Sequence, residues 1–198
     1  MKFLNDIVLT GAGADLTAPA TVTFSGLSAA TETNAVGKVY WDAGQGTLDL
    51  GLLGGNVVSR LGQSLVAYVT NAEAVTITKG QPVYLHQAQG DRATVKLASN
   101  LGDATSAKTL GLAAENIAAG QTGYVMCQGV LEGLNLGSFI AGDTLYVGAT
   151  AGTLTATKPY APNHLVYIGV VERANNGNGQ IYVRPQNGYE MDELHNVS

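Results

Sequence analysis

The sequence holds one cysteine, Cys127, so no intramolecular disulfide framework can form. It lies in the apolar, strand-like run Gly123–Gly129, where a buried small hydrophobe is expected. Charge is scarce too: 13% of residues are charged, against about a quarter in an ordinary soluble domain. The net charge is −5 and no basic run occurs, which leaves nucleic-acid phosphates without a partner. No apolar run approaches the ~20 residues of a membrane span. The start, Met1-Lys2-Phe3-Leu4-Asn5-Asp6, is not that of a signal peptide. Aromatic residues make up 7%, with a single Trp, a poor supply for a sugar-stacking platform. The three histidines, His86, His164 and His195, stand apart from any second His, Cys or paired carboxylate at metal-ligand spacing. The acids Glu190, Asp192 and Glu193 lack the spacing of a calcium loop and read as a solvated tail. No Gly-x-Ser-x-Gly elbow or phosphate loop occurs. Gly11-Ala12-Gly13 lacks the third Gly and the helix of a dinucleotide fingerprint. No catalytic residue, metal site or cofactor is expected, and the chain does not read as an enzyme.

What is present is glycine, with 26 residues, and apolar side chains at 45%, with a mean hydropathy of +0.11. That is not a disordered composition, and 198 residues suffice to bury a core. The low charge fits a surface covered by copies of the chain or by neighbours. It equally fits a Gly/Thr-rich β-protein of ordinary solubility.

Strand signals fill the chain. Residues 1–36 read as an extended N-terminal arm, with short strands at Phe3–Leu9 and Thr21–Phe24 and a small, polar link from Ser28 to Asn34. Such strands need partners. Phe3, Leu4, Ile7, Val8, Leu9, Val22 and Phe24 are the candidate contact residues, and a parallel trimer of wound arms is one solution. Residues 37–198 read as a β-domain. Lys38–Trp41 and Thr47–Leu52 form a hairpin, Leu65–Thr70 is a strand, and Asn175–Gly179 marks a late turn. Val57–Gln63 suits a strand or a helical turn, and Asn100–Ser106 is the one place for a turn of helix. About ten short strands argue for an all-β fold, an antiparallel sandwich or barrel.

A pattern occurs twice in this domain. Ile77-x-x-Gly80-Gln81-x-Val83-Tyr84-Leu85 is followed by Leu110-Gly111-Leu112-Ala113-Ala114-Glu115. Ile140-x-Gly142-Asp143-x-Leu145-Tyr146-Val147 is followed by Ile168-Gly169-Val170-Val171-Glu172. The copies span 77–115 and 140–172, with the leading Ile one residue out of step. The turn chemistry extends further. Gly80, Gly120, Gly142 and Gly179 each stand shortly before Tyr84, Tyr124, Tyr146 and Tyr182. A ring that packs its body and leaves its hydroxyl to a polar partner suits a structural device.

Several stretches resemble the tailed-phage virion proteins, notably the tail fibre and appendage module. They are Lys2–Ile7, Val36–Asp42, Gly46–Leu52, Gly54–Val57, the Gly80-x-x-Val83-Tyr84 and Gly142-Asp143-x-Leu145-Tyr146-Val147 pattern, and the close Asn187–Val197. The closing run is similar to an E-L-x-E-L-H-D-V signature, with Met and Asn at two usual positions. The resemblance implies a non-enzymatic virion component, assembled in the host cytoplasm, most simply a homotrimer in contact with other virion proteins of tail or capsid. It supplies no catalytic residue. With the chain ending at Ser198, a short adaptor, a decoration subunit or the proximal piece of a longer fibre is expected. The leading expectation is a tail fibre or appendage component. A capsid decoration or cement protein is the alternative, and a glycan-binding receptor module is the third reading.

Overall fold

The computed structural model describes residues 35–188. Phe3, Leu4, Ile7, Val8, Leu9, Val22 and Phe24 lie outside the described residues, as does the closing run from Tyr189. In chain order the elements are β1 (Val39–Asp42), β2 (Thr47–Gly51), β3 (Val58–Arg60), β4 (Leu65–Asn71), β5 (Pro82–Gln89), β6 (Arg92–Leu97), α1 (Asp103–Ser106), β7 (Thr109–Ala113), β8 (Thr122–Asn135), β9 (Thr144–Val147), β10 (Leu154–Thr155), β11 (Val166–Arg173) and β12 (Asn176–Asn187). The fold is all-β but for α1. That single turn starts at Gly102, which offers no side-chain acceptor to the first amides.

β1, β2 and β3 make a small antiparallel sheet. The other nine strands run in the order β10-β9-β11-β12-β8-β4-β6-β5-β7, and β7 pairs back onto β8. β8, β4, β6, β5 and β7 therefore close into a five-stranded barrel, which removes their free edges. One pair departs from the antiparallel expectation: β4 and β6 are parallel, with Thr70 opposite Thr94 and Asn71 opposite Val95. The chain reverses once into β5 and again into β6, so β6 regains the direction of β4.

Alternation sets two cores. Val69, Val83, Val95, Ala113 and Val125, one from each barrel strand, point inward with Ile77 and Ile117, and none is more than 2% exposed. The outward-facing Tyr84, Leu112 and Met126 are covered as well. They pack with Leu131, Leu145, Ile168, Val171, Ile181 and Val183 in a second core, so β5, β7 and β8 form a wall shared by both.

The residues of the two sequence copies fall on strands with comparable pairings. Val83 lies opposite Gly111 and Leu112 opposite Met126 across β5, β7 and β8. Leu145 lies opposite Gly169 and Val170 opposite Tyr182 across β9, β11 and β12. β10 flanks β9 as β6 flanks β5. The first unit closes through β4. In the second, the C-terminal half of β8 takes the place beside β12 that β4 takes beside β8, and β10 stays the outermost strand.

Candidate interaction surface

Three of the four glycine turns have one construction. Gly80 N–H donates to Ala113 O, and Ala113 N–H returns to Gln81 O, at 2.8 and 2.9 Å. Gly142 and Asp143 make the same exchange with Val171 at 2.8 and 2.9 Å, and Gly120 and Gln121 make it with Asn71 at 3.0 and 2.9 Å. The three glycines have φ of +88°, +93° and +69°, a region that other residues enter only at a cost. Gln81 Oε1 and Asp143 Oδ2 accept from the amides of Thr78 and Ile140, which sets Ile140 at the position of Thr78. The residue matching Ile77 is thus Phe139, packed partly buried against the core, while Ile140 is 70% exposed. The one-residue offset in the sequence alignment disappears. Gly179 is different: it lies within β12, where a Cβ would meet Leu136 at 2.8 Å. Tyr84, Tyr124 and Tyr146 each follow their glycine by four residues, whereas Tyr182 follows Gly179 by three.

The tyrosines do not share one platform. Tyr84 is buried in the second core, edge-on to His86 with ring centroids 6.2 Å apart. Tyr124 stacks on Tyr68 at 4.6 Å, and the Arg92 guanidinium lies 4.5 Å from the Tyr68 ring. Tyr146 meets Tyr167 edge-on at 6.4 Å, and Tyr182 is 36% exposed.

One Ser–His–Asp grouping assembles, unseen in the linear order. Ser106 Oγ lies 2.9 Å and Asp103 Oδ1 3.3 Å from His164. Both meet Nδ1, whereas a nucleophile and its orienting acid use opposite ring nitrogens. Ser106 is also only 1% exposed, although it borders a cavity of about 590 Å³ with Asp103 and His164. Cys127 is half-buried, and burial pushes its thiol up, away from the reactive thiolate. Among the described residues no group of three or more His, Cys, Asp or Glu could hold a metal ion, and no helix is long and apolar enough to cross a membrane.

The small sheet is the unusual surface. Strand pairing sets Tyr40, Asp49 and Arg60 in one row, with Trp41, Leu48 and Leu61 in the row to one side and Val39, Leu50 and Ser59 in the row to the other. Alternation puts the first row on one face and the other two on the opposite face. The polar face turns to the body of the protein. Arg60 bonds Glu132 of β8 at 2.9 Å, Gln180 of β12 bonds the same carboxylate at 2.7 Å, and Asp49 is only 2% exposed. Asp49, Arg60 and Glu132, with Asp42, Lys79 and Asn56, line a cleft of about 230 Å³ between the sheets. The opposite face is apolar at five of six positions, and Val39 and Leu61 there are 50% and 52% exposed. Val36, Leu53 and Leu65, beside the same strands, are more than half exposed. Trp41, Leu48 and Leu50 on this face are half-buried, so the sheet turns its charged row to the body and a partly exposed apolar row outward.

The cleft has its own electrostatics. Burial raises the Asp49 pKa above the usual carboxylate value; Arg60 opposes this, Asp42 adds to it, and Tyr40 hydrogen-bonds the carboxyl. Burial also lowers the Lys79 pKa, against the pull of Glu132. A carboxyl with a higher pKa folded than unfolded holds its proton more tightly in the native state. Its contribution to stability is present at low pH and is lost as pH rises through the folded pKa. Asp49→Asn removes that loss. The difference in Tm, variant minus wild type, is expected to grow between about pH 4 and pH 7. Thermal unfolding across that range checks it, and a difference that shrinks contradicts it.

The sequence of the phage cement protein family matches residues 99–185, from just before α1 to within β12 and less than half of the 198-residue chain. It takes in the second and third glycine turns and leaves out the small sheet. No curated protein matches the sequence. The family match supports a phage virion structural protein, located in the virion and associated with other virion proteins. It suggests a non-enzymatic role and favours the capsid cement reading over the tail fibre or appendage reading.

Proposed function

We propose that this chain is a cement or decoration subunit of a tailed-phage capsid, working by protein contact and not by turnover. The observation that carries this is the match of residues 99–185 to phage cement proteins. The composition is in keeping: 13% charged residues suit a subunit much of whose surface meets other protein. The closed barrel and the shared wall between the cores give a stiff body, so a contact formed with the shell spends little on ordering the subunit. A homotrimer belongs to the proposal, because a subunit that presents one surface three times engages three shell neighbours together.

Copy number per particle tests the assignment. Gel densitometry of purified virions is expected to give copies on the order of hundreds, in keeping with a repeating shell lattice. A few copies, or a few tens, would instead mark a tail component.

A further inference from the structure

We infer that the small sheet is a latch: β1, β2 and β3 leave the body as one cooperative unit while the barrel stays folded. Their attachment to the body is sparse. Among the described residues no strand pairing links β1, β2 or β3 to the nine-stranded sheet. The chain passes from one sheet to the other through a turn between β3 and β4, where Arg60 O accepts from the amides of Gln63 and Ser64 at 3.1 and 3.0 Å. Gly62 in that turn has φ +77°, and nothing lies within 4 Å of its Cβ position, so the joint is free of packing.

Side-chain contacts hold the sheet closed. Arg60 Nη2 donates to Glu132 Oε2 at 2.9 Å, and Asn56 Nδ2 donates to Glu115 Oε2 at 2.9 Å. Val57 is buried in the second core, and Leu52 packs against it partly buried. The inward row of Tyr40, Asp49 and Arg60 meets the 230 Å³ cleft instead of packed apolar side chains. Closure also has a cost. Asp49 Oδ1 and Arg60 Nε are buried with no hydrogen-bond partner, which disfavours the closed form. The barrel has neither weakness, since its strands pair all round and its inward side chains are no more than 2% exposed. A folded chain opens first where buried apolar contact is least. Three short strands taken off the body lack a core of their own and unravel together. Opening uncovers Lys79, Glu132 and the neighbouring Gln180, a polar contact surface that the closed form partly covers.

This inference concerns the isolated chain and stands apart from the capsid assignment. Native-state hydrogen exchange read by mass spectrometry tests it, on the full chain as wild type and as Glu132→Gln. In the wild type the amides of β1, β2 and β3 are expected to share one opening constant, about 100-fold or more above that of β4, β6 and β7. Glu132→Gln keeps an acceptor for Gln180 and removes the charge that holds Arg60. It is expected to speed exchange in all three small-sheet strands about tenfold and to leave β4, β6 and β7 unchanged. Three results overturn the inference: β1, β2 and β3 sharing the barrel's opening constant, the three strands opening independently, or a sheet that Glu132→Gln speeds no more than the barrel. The first two need no variant.

Discussion

Gly111→Ala is expected to destabilise the protein by about 3 kcal/mol, enough to remove much of the margin of a domain this size. A Cβ built at Gly111 would stand 2.0 Å from the Met126 carbonyl oxygen, with the Cys127 Cα at 3.2 Å. Both are backbone, so no rotamer change relieves the clash and the strands must part. The strands concerned are β7 and β8, whose pairing at Leu112–Met126 and Ala113–Val125 closes the barrel. Gly169 is the same position in the second copy, with a Cβ 2.0 Å from the Tyr182 carbonyl oxygen, and Gly169→Ala is expected to act likewise. Gly102→Ala is the control: nothing lies within 4 Å of its Cβ, and its φ of 176° is ordinary extended backbone. Urea unfolding followed by circular dichroism decides. A Gly111→Ala protein as stable as Gly102→Ala would remove the close strand approach from the account.

Ile77→Ala is expected to cost about 3 kcal/mol, within the range for truncating a buried isoleucine. Ile77 and Ile117 bridge each other through paired backbone bonds of 2.9 and 2.8 Å, and their side chains are 0% and 1% exposed. On either side of this bridge lie the exchange of Gly80 with Ala113 and that of Gly120 with Asn71, so two matching turns meet across it. A void here removes contacts from the barrel interior at the point where both turns dock. Because the two side chains share one core, the double variant Ile77→Ala with Ile117→Ala is expected to lose less than the sum of the single losses. The same urea titration measures all three. A loss below about 1 kcal/mol for Ile77→Ala would mean that the site collapses without strain.

Much of this architecture is legible before folding because its devices are local. A glycine at positive φ followed by a strand is written in four residues, and Gly80, Gly120 and Gly142 carry it openly. Gly179 imitates the pattern at the level of residue type, but its tyrosine arrives one residue early and β12 simply runs through it. Barrel closure is not legible, since it depends on β7 finding β8 and β4 running beside β6, pairings that no single strand's period encodes. Ser106 and His164 meet across 58 positions for the same reason. The small sheet is the most instructive case. Thr47-Leu48-Asp49-Leu50 alternates as a half-buried strand should, and the usual expectation sends the leucines to the core. Alternation fixes that two faces exist and leaves open which one is inside. Arg60, held by Glu132 of β8 far along the chain, attracts Asp49 opposite it, so the polar row faces the body and the leucines take the other face.

A reconstruction of the purified particle, with an antibody against this chain as the label, tests the capsid assignment most directly. Label and matching density repeated over the shell are the expected result. Label confined to the tail, with a bare shell, would contradict it.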